Sequence, residues 1–550
     1  MNTLSKFIIL PSITCLLCIP AAAMAQTQLG ADIDGEAIDD NLSAVALSAD
    51  GNRLAAGAAA NVGNGGLSGH VRVFEWSGSG WVQLGADIDG EAPEDRSGTA
   101  VSLSGDGNLV AIGAPGNAGN GEYAGHVRVF QWSGSAWEQM GPDIDGENAY
   151  DIFGESVAMS LYGNRMAATS TDTGQVRVYE WKGTEWRRLG WPIERKSWND
   201  NIETVSLSAS GDRVALGARG VATTPGEARV YEWTGTWTQL GSDIEGEALG
   251  DQFGASVSLS PDGNRLAVGA PHNDDGAPYA GHARVFEWNG SAWVQLGDDI
   301  DGDVTEAFNG HTVSLSSHGN RLAVGAPGGG GSNGLVRVYQ WSGSAWSQIG
   351  TNIVGEMVSD GFGDRVALAA NGNRVAASAP QNDGNGNDSG HARVFDLSMF
   401  NEFLINPGLN DAWYFPTTDG QGFFITVFPD FGRVSLAWFT YDTEQPPPGA
   451  TANFGDPGHR WLTALGKYSG NQATTRITFA SGGLFDTPDA VAPVTRVKDG
   501  TIVLTFDSCN SGTAEYDMPS LGLSGTVPIQ RVVDDNVAFC EALLSQMSPW

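Results

Sequence analysis

The sequence predicts an all-β protein, a seven-bladed β-propeller followed by a small antiparallel β sandwich or barrel. Three observations carry this. One pattern recurs seven times, each copy holds four short alternating stretches, and the first and last copies are incomplete in complementary ways.

The seven copies are marked by Ile33, Ile88, Ile144, Ile193, Ile244, Ile300 and Ile353, which are 55, 56, 49, 51, 56 and 53 residues apart by subtraction. That spacing suits one propeller blade per repeat. In the fifth and fullest copy, residues 256–259 alternate small polar with apolar side chains and read as the first strand. Pro261-Asp262-Gly263-Asn264 is a tight turn, because Asp and Gly tolerate the backbone angles it needs. Residues 265–270 read as the second strand, 283–288 as the third and 293–300 as the fourth, the last two joined by Asn289-Gly290-Ser291. No stretch of this region has a helical period.

The chain ends of the repeat region decide between a linear stack and a ring. The first copy begins at Gln28 with only the fourth-strand motif, and the last stops at residues 390–397 after a third strand. The first strand therefore fits beside the last three and completes blade seven. Closure also protects sheet edges that a linear array would expose.

These residues resemble the FG-GAP repeats of integrin α-subunit propellers and their bacterial relatives. Phe153-Gly154, Phe253-Gly254 and Phe362-Gly363 match the Phe-Gly element, and Gly113-Ala114-Pro115, Gly269-Ala270-Pro271 and Gly325-Ala326-Pro327 match the Gly-Ala-Pro element. Leu42-Ser43 and Thr169-Ser170 depart from it. The resemblance spans about residues 28–397 and implies a binding platform. Some members hold calcium in the hairpin between strands one and two, but here that hairpin is only Ala49-Asp50-Gly51-Asn52 or its equivalents, too short for such a loop.

Residues 1–25 read as a signal peptide. Lys6 precedes the apolar run 7–20, and Ala23-Met24-Ala25 is a small-x-small cleavage site before Gln26. The domains are then 1–25, the propeller at 26–398 and a β-rich C-terminal domain at 399–550. A secreted or cell-surface location is expected, with the periplasm as the other compartment such a signal reaches. No later stretch is long enough to span a membrane. In the C-terminal domain, residues 422–428 and 433–441 flank Pro429-Asp430-Phe431-Gly432 as a hairpin, 461–468, 473–479 and 501–507 read as strands, and 537–546 as a helix. This domain resembles a module appended to exported proteobacterial proteins, a likeness that implies no chemistry. Cys509 and Cys540 are the two cysteines outside the signal and are expected to form a disulfide.

The formal net charge of -35 disfavours nucleic acid and anionic lipid as partners. An extracellular protein or glycan is the expected partner of a monomeric chain. The variable loops between strands two and three are the candidate contact surface: His272, Asn273, Asp274, Asp275 and Tyr279 in one, Asp383, Asn385, Asn387 and Asp388 in another. No cofactor is expected, although the recurring Asp-Ile-Asp-Gly-Glu offers Asp32, Asp34, Asp87, Asp89, Asp143 and Asp145 as calcium ligands. Solvated strand faces are the simpler reading of those acids. His70, His126, His282 and His391 open third strands too far apart around a ring to share one zinc, and a hydrogen bond within each blade is expected of them. The third-strand Arg of every copy (Arg72, Arg128, Arg177, Arg229, Arg284, Arg337, Arg393) is expected to pair with neighbouring acids. No catalytic motif is recognised. The leading expectation is a non-enzymatic binding or adhesion-type protein. A propeller hydrolase or lyase acting on extracellular polysaccharide, and a structural exoprotein without a ligand, are the alternatives.

Overall fold

A computed structural model describes residues 25–400, 405–416, 422–441, 459–469, 471–482, 494–506, 509–533, 536–537 and 539–540. The signal-peptide reading and most of the expected helix over 537–546 lie outside these residues.

Seven antiparallel sheets form the blades, followed by a closed barrel of eight antiparallel strands. In the fifth blade the strands are Ser256–Leu259, Arg265–Ala270, His282–Trp288 and Trp293–Gln295. Each alternates apolar residues into the contacts between blades. Leu266, Val268 and Ala270 pack with Ala215, Ala228 and Val230 of the preceding blade.

The fourth strand differs from the expected single run. It breaks at Gly297, whose φ is +80°, and pairing with the third strand resumes at Ile300–Asp301. Gly297 must bend away because a side chain there would meet Trp341 of the next blade at 2.8 Å. The repeating Phe-Gly and Gly-Ala-Pro elements also have a steric cause. A Cβ on Gly113 would lie 2.0 Å from the Gly154 carbonyl oxygen, so the two glycines let neighbouring blades touch backbone to backbone.

The ring closes as expected. Thr27–Gln28 pairs with Asp396 and Phe395, and Ile33–Asp34 pairs with Ala392 and His391. In six blades the fourth-strand Trp donates its indole N–H to a carbonyl of the blade before, as Trp81 does to Leu29 at 2.9 Å and Trp346 to Leu296 at 2.8 Å. Each of these indoles also packs on the Trp across its hairpin, with centroids 5.4 Å apart for Trp76 and Trp81. In blade seven Gln26 occupies the Trp position, and its amide reaches the Ile349 carbonyl at 3.2 Å.

The C-terminal domain is a barrel, not a sandwich. Its strands run Asp411–Tyr414, Gly422–Phe428, Arg433–Tyr441, His459–Ser469, Gln472–Gly482, Val494–Phe506, Ser511–Met518 and Leu523–Arg531, and the first pairs with the last through Trp413 and Arg531. Its core is filled by Trp413, Phe423, Trp438, Ile477, Leu504 and Phe506. Cys509 and Cys540 are disulfide-bonded with Cα atoms 5.8 Å apart. Among the described residues no helix is long and apolar enough to cross a membrane.

Candidate functional site

The loops between strands two and three interlock with the crossings that lead from one blade to the next. Glu94 N–H donates to the Gly66 carbonyl at 2.9 Å and Arg96 N–H to Leu67 at 3.0 Å; Glu306 and Phe308 bond Pro278 and Tyr279 in the same way, at 2.9 and 3.1 Å. These bonds put loops and crossings on one face of the ring. All the non-glycine residues with positive φ lie on this face, among them Leu67, Arg96, Tyr123, Tyr150, Tyr279, Phe308 and Asp388. Each such residue costs about 1–2 kcal/mol in an L-amino acid chain, so the surrounding bonds hold a strained surface in one shape. At and around these positions the crossings expose Ile38, Tyr150, Trp198, Leu249, Val304 and Val358.

The candidate contact residues divide within this surface. Tyr279 is 47% exposed, and its ring packs edge-on against His272 with centroids 5.2 Å apart. Asp274 accepts the Tyr279 amide at 2.7 Å and Asp383 the Asp388 amide at 2.9 Å, so these acids brace their own loops. Asn385 donates to the carbonyls of Gly35 and Glu36, at 2.9 and 3.1 Å, and Asn387 donates to Asp388 at 2.8 Å. Asn273 is not a surface residue. It is 3% exposed and donates to Asp251 at 3.0 Å and to Asp275 at 3.3 Å. Its Oδ1 accepts the Asp275 amide at 3.0 Å.

A second group of polar side chains meets at the ring axis. Glu155 of the third blade feels Arg365 of the seventh, Glu203 of the fourth and Arg96, a convergence that only the axis permits. The Glu155 carboxylate is exposed, and partial loss of solvent among these neighbouring side chains is the main cause that raises its pKa. Arg219 pairs with Glu203 at 2.8 Å, and His311 with Asp364 at 3.3 Å. Sequence reasoning missed these residues, because they approach one another only when the ring closes.

The four third-strand histidines lie below the loops, each 1% exposed or less. Among the described residues the expected hydrogen bond within each blade is absent at Nε2 of all four, and at Nδ1 of His282 and His391. Each ring instead faces carboxylates, two at His70, His126 and His391 and three at His282. His391 Nδ1 lies 3.5 Å from Asp32, His282 3.7 Å from Asp299, His70 3.9 Å from Glu36 and His126 4.0 Å from Asp143. Burial pushes His126 and His391 down to about 4, so these imidazoles are neutral at pH 7. The acids of the calcium reading therefore split. Asp32, Asp87 and Asp143 turn to imidazoles, while Asp34, Asp89 and Asp145 pair through their backbones with His391, His70 and His126. Burial and the neighbouring acid raise the pKa of Asp34 and Asp145.

All seven third-strand arginines find acids, as expected. The pairs include Arg177 with Asp151 at 2.9 Å, Arg229 with Asp200 at 3.2 Å and Arg284 with Glu247 at 3.2 Å. Arg72, Arg128 and Arg393 sit 3.6, 3.6 and 3.7 Å from Glu36, Glu91 and Glu356, and Arg337 pairs with Asp303. The guanidinium of Arg284 lies over the buried Phe253 ring at 4.6 Å, which gives the Phe of the Phe-Gly element its packing partner.

Residues 245–286 match the model of the FG-GAP repeat. No curated protein sequence matches the chain. Among solved structures, Kuenenia stuttgartiensis hydrazine synthase is similar at 12% identity and a TM-score of 0.44, over 64% of this chain and 94% of that one. The β-propeller domain of Myceliophteria thermophila Cps50 (Swd1) is similar at 12% identity and a TM-score of 0.44, over 68% of this chain and 99% of that one. At such identity and score the likeness says nothing of ligand or chemistry.

Proposed function

We propose that this chain is an exported, non-enzymatic binding or adhesion-type protein whose propeller presents its loop face to an extracellular protein or glycan. The observation that carries the reading is the strained, interlocked loop face with apolar side chains exposed on its crossings. A surface already held in one conformation loses little entropy when a ligand docks. The FG-GAP repeat match at residues 245–286 and the disulfide of the C-terminal barrel agree with a binding platform made for an oxidising compartment.

The test is a triple substitution, Trp198→Ser, Leu249→Ser and Val358→Ser, on three crossings of that face. Parent and variant are compared for capture on a glycan array and of purified surface proteins of neighbouring cells. Capture is expected to fall at least tenfold, while the urea midpoint moves by no more than about 0.5 kcal/mol of stability per site. Equal capture by both proteins, or none by the parent, would overturn the reading, the latter in favour of a purely structural role. One observation favours a polysaccharide hydrolase instead, the solvent-exposed Glu155 with its raised pKa, in the field of Glu203 near the axis. Polysaccharide turnover by the parent that Glu155→Gln abolishes would establish that second reading.

A further inference from the structure

Three positions of the repeat meet at each blade: the acid that enters from the preceding crossing, the first residue of the third strand, and the residue before the marker isoleucine. In blades one, two, five and seven they are Glu36–His70–Asp87, Glu91–His126–Asp143, Glu247–His282–Asp299 and Glu356–His391–Asp32. In each set one atom from each side chain lies within 4.8 Å of the other two. In blades three, four and six the positions read Glu147–Gln175–Pro192, Lys196–Glu227–Asp243 and Asp303–Leu335–Asn352. Every blade that keeps the histidine keeps both carboxylates. Every blade that lacks the histidine has also changed another member of the set.

Blade four shows what the position requires. There the histidine has become Glu227 and the entering acid has become Lys196, whose ammonium sits 2.6 and 2.7 Å from the two oxygens of Asp243. A covalently attached cation occupies the place between the third strand and the aspartate.

The geometry points to four binding sites for a divalent transition-metal ion of the zinc class, one in each histidine-bearing blade, with ligands from a buried imidazole and two carboxylates. Such ions accept nitrogen and oxygen donors at about 2.0–2.2 Å, so donor atoms that lie within 4.8 Å of one another would draw in to about 3.4 Å around the ion, and water would fill the remaining positions. The Glu is oriented for this. Its second oxygen is turned to the third-strand Arg, at 3.6 Å for Arg72 and Glu36, which leaves the first facing the imidazole. An ion at Nδ1 also supplies the polar partner that the His282 and His391 rings lack among the described residues. In blade seven the donors come from the first strand region (Asp32), the last third strand (His391) and the crossing before it (Glu356). An ion there clasps the two ends of the ring.

The test uses the full chain, stripped with a chelator, desalted, loaded with zinc and passed through gel filtration before metal analysis. About four zinc ions per chain are expected, matching the four sets. Asp32→Asn, Asp87→Asn, Asp143→Asn and Asp299→Asn, all at partly exposed positions, should each remove one. The pair Lys196→Glu with Glu227→His should rebuild blade four and raise the count by one. Retention of less than one ion, or a count that the four Asp→Asn variants leave unchanged, would overturn the inference. Because the aspartates lie away from the core, their variants remain informative even if the buried histidines tolerate no substitution.

Discussion

Asn273 and Asp251 show how a side chain on a polar loop becomes part of the framework. The same pairing recurs between Asn61 and Asp40, Asn117 and Asp95, and Asn382 and Asp360, at 3.1–3.2 Å, and it pins each long loop to the crossing beneath it. Removing the amide strands a buried carboxylate, so Asn273→Ala should cost about 1–3 kcal/mol. Asp275→Ala, which leaves Asn273 bonded to Asp251, should cost less than about 0.5 kcal/mol. Urea titration of both variants measures this, and equal midpoints would mean that Asp251 finds another partner. The burial of Asn273 was not legible in His-Asn-Asp-Asp, because its partner lies 22 residues away and Asn in a loop usually signals a turn. The third-strand arginines were legible because they recur at one phase of a period-2 strand in all seven copies. The histidines beside them recur too, yet their carboxylate neighbours come partly from another blade, which counting along one repeat does not reveal.

At the scale of elements, the blade strands and their turns were readable from alternation and turn residues. The break at Gly297 was not, since its cause is a tryptophan of the next blade. The barrel was readable only as strands, because closure depends on Trp413 meeting Arg531 across the domain. Arg531 is buried there, 2.7 Å from Asp411 and over the Trp413 ring at 5.0 Å, so one residue ties the first strand to the last. The disulfide fastens the segment after this strand across a separation of 31 residues. Its loop entropy contributes about 3–4 kcal/mol. Since neither cysteine lies in the propeller, reduction should lower the barrel's melting transition and leave the propeller's in place. Calorimetry with and without reductant resolves the two, and a propeller transition that moves equally would show that the domains unfold as one.

For the whole molecule the decisive feature is the closure of blade seven by residues from the start of the ring. Deleting residues 26–34 removes the Gln26 bond to Ile349, both short strands that pair with His391–Asp396, and Asp32 beside His391. The variant should melt at a lower temperature and associate through its bared strand edge. A variant that melts like the parent and stays monomeric would show that the ring holds without its latch. The pairing of Thr27 with Asp396 also imposes an order in time. Synthesis makes the latch strand at the start of the ring and its partner at the end, so six blades can stack while the latch waits for a partner made 369 residues later by subtraction. The contact with the greatest separation along the propeller is thus the final one to form. Until the latch docks, the early strand of a neighbouring chain fits the vacant place equally well, so chains folding side by side at high concentration would exchange their ends.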